Sequence, residues 1–90
     1  MKKILAIQSD ALNEINIETD TTLSLALEAQ KRNYQIIWYE TKDLNLINSK
    51  VLVEGKKVRF YDKSKKFYKV IKTIKFDLAQ AKVIFIRQNP

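Results

Sequence analysis

Ninety residues with 46% apolar and 30% charged side chains suit one small globular core, not a disordered or collagen-like chain. The absence of Cys and His removes disulfides, thiol nucleophiles, Cys/His zinc sites and every His-dependent triad, leaving carboxylates, amides, hydroxyls, Lys, Arg and the backbone to carry any chemistry. A single Gly makes both G-x-G-x-x-G and G-x-x-x-x-G-K-[ST] impossible, so neither phosphate-cradling loop exists within these residues.

The net charge of +7 is lopsided. Residues 1–45 carry five basic and seven acidic groups, whereas residues 46–90 carry twelve basic and three acidic ones. A basic half of this kind can meet nucleic acid or an anionic membrane surface. Fourteen of the seventeen basic residues are Lys, however, and direct base readout favours Arg, Asn and Gln. The lysines also fall where turns and outer strand faces are expected, so the charge reads as a solvated face with no nucleic-acid and no membrane partner. A basic α/β interaction module binding nucleic acid or an anionic partner is the alternative reading.

Met1-Lys2-Lys3 precedes an apolar run of only four residues, Ile4–Ile7. That is shorter than a signal-peptide core and far shorter than a membrane span, so a cytoplasmic address is expected. The same run, without alternation, predicts a strand buried on both faces of a parallel sheet. Asp20 is a good N-cap for a helix over about 20–32, whose apolar residues Leu23, Leu25, Ala26, Leu27 and Ala29 cover a broad arc. Lys31 and Arg32 suit the negative end of the helix dipole, and Asn33 suits a left-handed position just beyond it. Tyr34–Tyr39 is the next strand, rich in aromatic and β-branched residues, and the three elements form a right-handed βαβ unit.

Thr41–Leu44 is expected as one helical turn and Leu44–Ile47 as a short extended piece. The only Gly lies in Glu54-Gly55-Lys56-Lys57, between two apolar runs, which predicts a β-hairpin insertion at about 50–61. Phe67–Phe76 is a further strand or an irregular extended segment, and Asp77–Gln80 a turn or helix stub. Lys82–Arg87 reads as a second core strand like the first.

In an open α/β sheet, ligands bind at the carboxyl ends of the strands. Two loops should reach that edge. One follows the first strand and carries Asp10 and Asn16; the other follows the last strand and carries Arg87. A guanidinium held at fixed depth matches a carboxylate or phosphate bidentately, while Asp10 and Asn16 suit an ammonium or amide, so the set fits an amino acid or peptide. Structural roles stay open for the same residues: Arg87 pairing with Asp10 or another carboxylate, Asn16 closing its own loop. Thr21 and Thr22 open a helix whose free amides suit an anion, although helix initiation alone also explains them. No residue of the chain is a candidate catalytic group or metal ligand.

Asp10, Ile15-Asn16-Ile17, Asp20-Thr21-Thr22, Leu27-Glu28-Ala29-Gln30 with Arg32 and Tyr34, Asp43-Leu44 with Leu46-Ile47-Asn48, and Ile86-Arg87-Gln88-Asn89-Pro90 resemble, in order and spacing, the N-terminal domain of prokaryotic glutathione synthetase. The resemblance covers nearly the whole chain except the Lys-rich segment at about 49–76, and Asn33 stands where that family often has Gly. It implies a small Rossmann-like, pre-ATP-grasp, three-layer α/β domain spanning residues 1–90 with a mostly parallel sheet. It further implies a parent ligase that joins γ-glutamylcysteine to glycine through an acyl phosphate. ATP and magnesium would be held by an ATP-grasp region outside this chain, so this chain binds no cofactor and is expected to be inactive alone. A homo-oligomer is consistent with the family's bacterial members. Arg87, Asn16 and Asp10 are then expected on the γ-glutamylcysteine side of the site.

Overall fold

The computed structural model describes residues 3–14, 21–61 and 68–87. Strand β1 (Lys3–Gln8) leads through a 3₁₀ turn at Leu12–Glu14 to helix α1 (Thr21–Lys31) and strand β2 (Tyr34–Tyr39). The expected N-cap Asp20 lies outside the described residues. Thr22, Leu23, Ala26 and Ala29 form the buried stripe of α1, spaced for one helix face, while Leu25 is 38% exposed; the apolar arc is narrower than its composition suggests. Asn33 ends the helix as expected, at φ 66°, its N–H donating to the Gln30 carbonyl at 3.0 Å.

Beyond β2 a 3₁₀ turn at Thr41–Asp43 is closed by the Asp43 carboxylate, which accepts from the Glu40 N–H at 2.9 Å. Strand β3 (Leu44–Ile47), strand β4 (Lys50–Phe60) and strand β5 (Tyr68–Asp77) follow. A 3₁₀ turn at Leu78–Gln80, capped by the Asp77 carboxylate accepting from the Ala79 N–H, leads to strand β6 (Val83–Ile86).

The hairpin expected at 50–61 is not there: β4 runs straight through Gly55. The tight reversal lies earlier, between β3 and β4, where Asn48 and Ser49 both adopt positive φ (50° and 65°) in the manner of a type I′ turn. Gly55 serves a different need. A Cβ there would lie 2.5 Å from Ile37 Cγ2, so β4 can cross the face beside β2 only without a side chain at this position.

All six strands form one sheet, with the path β3-β4-β2-β1-β6 and β5 on the other side of β4. Strand β1 is parallel to β2 and β6, whereas β2–β4, β3–β4 and β4–β5 are antiparallel. The sheet is therefore mixed where a mostly parallel one is expected. Only the α1 crossover and the return to β6 yield parallel neighbours; short returns force the rest to run antiparallel.

Alternation of side chains gives the sheet two cores. Leu5, Ile7, Ile36, Trp38, Val58 and Phe60 face α1. Ala6, Ile37, Tyr39, Val53 and Phe76 face the other way, joined by Leu44, Ile74, Leu78 and Ala81. That second face is covered by the β4–β5 ladder and its following turn; among the described residues there is no second helical layer. Burying each large apolar side chain contributes about 1.5–3 kcal/mol. Trp38 stacks obliquely on Phe60, ring centroids 5.7 Å apart.

Strand β6 differs from the core strand its composition predicts. Among the described residues it pairs only with β1, and Val83, Ile84 and Ile86 are exposed by 44%, 44% and 58%. It is an edge strand.

Candidate functional site at the carboxyl rim of the sheet

Parallel pairing puts the carboxyl ends of β1, β2 and β6 on one rim, and the right-handed crossover brings the N-terminal end of α1 to the same place. Arg87, one residue past β6, is fixed there twice. Its backbone N–H donates to the Gln8 carbonyl at 2.8 Å, and its guanidinium Nη1 donates to the Thr22 hydroxyl at 3.0 Å.

Thr22 is fully buried in the second position of α1. A hydroxyl there needs a partner, because an unsatisfied buried polar group costs about 1–3 kcal/mol. Its contact with Arg87 therefore ties the helix start to the end of β6 across a sequence separation of 65 residues. Thr21, the neighbouring residue of the expected anion site, is exposed. The pair is thus split: one hydroxyl faces solvent and the other orients the guanidinium.

Asp10 lies two residues past β1 on the same rim. Its carbonyl accepts from the Trp38 indole N–H at 2.9 Å, which anchors the start of the loop to the core. The Asp10 residue itself is exposed. Asn16 lies outside the described residues. Of the sequence-derived set, the structure brings Asp10, Thr22 and Arg87 to one end of the sheet.

Two anchors of this rim are not evident from motifs: Trp38, which holds the Asp10 backbone, and Thr22 in its role as partner to Arg87. The available signal is a polar side chain placed in the apolar stripe of α1. A separate cleft of about 570 Å³, lined by Lys3, Gln30, Arg32, Tyr34, Arg59 and Ile71 among others, opens at the opposite end of β1 and β2 and takes no part in this rim.

Arg87 places a guanidinium, a donor group that matches carboxylates, on this rim, and Asp10 lies exposed on the same rim. Among the described residues no three Asp or Glu converge.

Comparison with known proteins agrees with the motif pattern. The family model for the prokaryotic glutathione synthetase N-terminal domain matches residues 3–90. Relatives named glutathione synthetase include one from Mesorhizobium japonicum, 31% identical over 90 residues, covering all of this chain and 29% of the relative. Another from Brucella melitensis is 33% identical over 86 residues, covering 96% of this chain and 28% of the relative. A third, from Buchnera aphidicola subsp. Baizongia pistaciae, is 34% identical over 86 residues, covering 96% of this chain and 26% of the relative. The chain thus spans under a third of the length of these curated relatives. It belongs to the family of prokaryotic glutathione synthetase N-terminal domains.

Proposed function

We propose that residues 1–90 form the substrate-side N-terminal domain of a glutathione synthase, an ATP-dependent ligase that joins γ-glutamylcysteine to glycine. The observation that carries this reading is the contact of Arg87 with Thr22 at the carboxyl rim, in a chain whose family match runs from residue 3 to residue 90. In this role Arg87 binds a carboxylate of the dipeptide, Thr22 orients the guanidinium, and Asp10 and Asn16 receive the ammonium or amide groups of the same ligand.

ATP supplies the energy that activates a carboxylate for attack by the glycine amine. The family resemblance assigns it and magnesium to an ATP-grasp region of the parent enzyme, and the single Gly leaves neither Gly-rich phosphate loop within this chain. This chain contributes binding and orientation, and by itself it is inactive. Catalysis would require its own ATP-grasp region as partner, in a cytoplasmic enzyme that is free to form a homo-oligomer. Among the described residues no helix is long and apolar enough to cross a membrane.

The test is an assay of the full-length protein with γ-glutamylcysteine, glycine and ATP. Glutathione formed with stoichiometric ADP supports the proposal, and absence of product from a folded, magnesium-supplied protein rejects it.

A further inference from the structure

The β4–β5 register sorts charge between the two sheet faces. On the α1 side, Glu54 stands opposite Lys75, an attractive pair. On the other side the apolar pairs Val53–Phe76 and Gly55–Ile74 continue into Lys57 opposite Lys72 and Arg59 opposite Lys69. Two like-charged pairs in succession disfavour the folded ladder. Opposed Cβ atoms lie about 5 Å apart and same-face positions along a strand about 7 Å apart, so the four cations frame a compact patch.

Nothing among the described residues neutralises that patch. Lys57 is half-buried, the other three are exposed, and none of the four is ion-paired there. A β-bulge between Lys57 and Val58, with Ile71 as the extra residue, twists the ladder where the cations begin. Arg59 also lines the cleft at the splayed ends of β2 and β4, together with Lys3 and with Arg32, the last ion-paired to Glu28 at 3.3 Å. The patch lies within the Lys-rich residues 49–76.

We propose that Lys57, Arg59, Lys69 and Lys72 form a binding site for a linear oligophosphate, a run of phosphate groups such as inorganic polyphosphate or a nucleotide triphosphate tail carries. Ammonium groups act as point charges toward phosphate, and the Arg59 fork adds directional donors. A phosphate run suits the site better than single-stranded nucleic acid, which needs stacking rings. Trp38, Tyr39 and Phe60 are buried, and Tyr61 is the one exposed aromatic among the described residues. The site lies at the opposite end of the sheet from Arg87 and stands independently of the ligase reading.

Calorimetric titration of the 90-residue chain with inorganic tripolyphosphate tests it, with ATP and a single-stranded oligothymidylate as further arms. Wild-type affinity should fall at least about fivefold between 50 and 200 mM salt, as expected for charge-dominated binding. Lys57→Gln/Lys69→Gln should weaken binding about tenfold or more, whereas Lys75→Gln, on the other face, should change it less than about twofold. Without ligand, relief of repulsion should raise the melting temperature of the double variant, and tripolyphosphate should stabilise the wild type more than the variant. Similar affinity for tripolyphosphate and ATP places recognition in the phosphates; much tighter ATP binding that the variant retains assigns ATP to another site and leaves the tripolyphosphate result to decide. Undetectable tripolyphosphate binding at 50 mM salt, equal weakening by Lys75→Gln, or clearly tighter binding of the oligonucleotide overturns the proposal. Arg59→Gln/Lys72→Gln repeats the test if the first double variant does not fold.

Discussion

The side-chain amide of Gln30 pairs with the main chain of Phe60 in both directions: its Oε1 accepts from the Phe60 N–H at 2.7 Å and its Nε2 donates to the Phe60 carbonyl at 2.9 Å. The β2–β4 ladder ends at Ile36–Val58, so the helix supplies the hydrogen bonds that β2 no longer reaches. This gives the Gln of the Leu-Glu-Ala-Gln motif a structural task. Gln30→Ala should cost about 1–3 kcal/mol, since it strands a part-buried N–H and C=O together. Gln30→Glu should also destabilise, because a carboxylate cannot donate to the Phe60 carbonyl. Urea unfolding of the two variants checks both, and wild-type midpoints for both would show the pair to be dispensable.

Gly55 sits against Ile37, and the predicted cost of a methyl group follows from that contact. Gly55→Ala should destabilise by about 1–3 kcal/mol through overpacking. The same change in an Ile37→Ala background should cost distinctly less, because the opposing atom is gone. A double-mutant cycle by denaturant unfolding measures the difference, and strict additivity would contradict the contact.

Among the described residues, three non-glycine residues hold positive φ: Asn33, Asn48 and Ser49. Replacing Ser49 with Gly should stabilise the β3–β4 turn by about 1 kcal/mol, because a left-handed backbone costs a residue with a Cβ about 1–2 kcal/mol. Asn33→Gly should be nearly neutral, as Asn already tolerates this conformation, while Asn33→Val should destabilise. Thermal melts of the three variants give the order directly.

Tyr39 is buried, and desolvation raises its phenol pKa above the usual 10.0. Below pH 10 the phenol is neutral in both folded and unfolded chains, and its contribution to stability is fully present. As the pH rises past 10 the unfolded chain releases the proton first, so stability falls toward the higher folded pKa. Between pH 9 and pH 11 the urea midpoint should drop more for the wild type than for Tyr39→Phe. Equal drops would show that the phenol ionises alike in both states.

The βαβ unit was legible because its signals are local and agree: an unbroken apolar strand, a helix with one buried stripe, and Asn33 just beyond it. Gly55 misled because Gly marks both tight turns and close backbone approach, and only the long-range packing of Ile37 separates the two. The true reversal was hidden in Asn48-Ser49, where Ser replaces the Gly that would advertise a type I′ turn. Composition alone could not reveal that β6 is an edge, since burial depends on how many strands lie beside it. At the rim, the placements of Arg87 and Asp10 followed from strand ends, whereas the bond between Arg87 and Thr22 joins residues that no local pattern links.

The proposed role of Arg87, steadied by Thr22, is to bind a carboxylate of γ-glutamylcysteine in the parent ligase. Steady-state kinetics of full-length Arg87→Ala and Thr22→Val test it most directly, with unfolding curves to confirm that each variant is folded. The prediction for Arg87→Ala is a KM for the dipeptide raised about tenfold or more, in keeping with loss of a charge-assisted hydrogen bond of about 1.5–3 kcal/mol. The KM for glycine should change little, and Thr22→Val should shift the dipeptide KM in the same direction by less. An Arg87→Ala enzyme with a wild-type KM for γ-glutamylcysteine would remove Arg87 from that role.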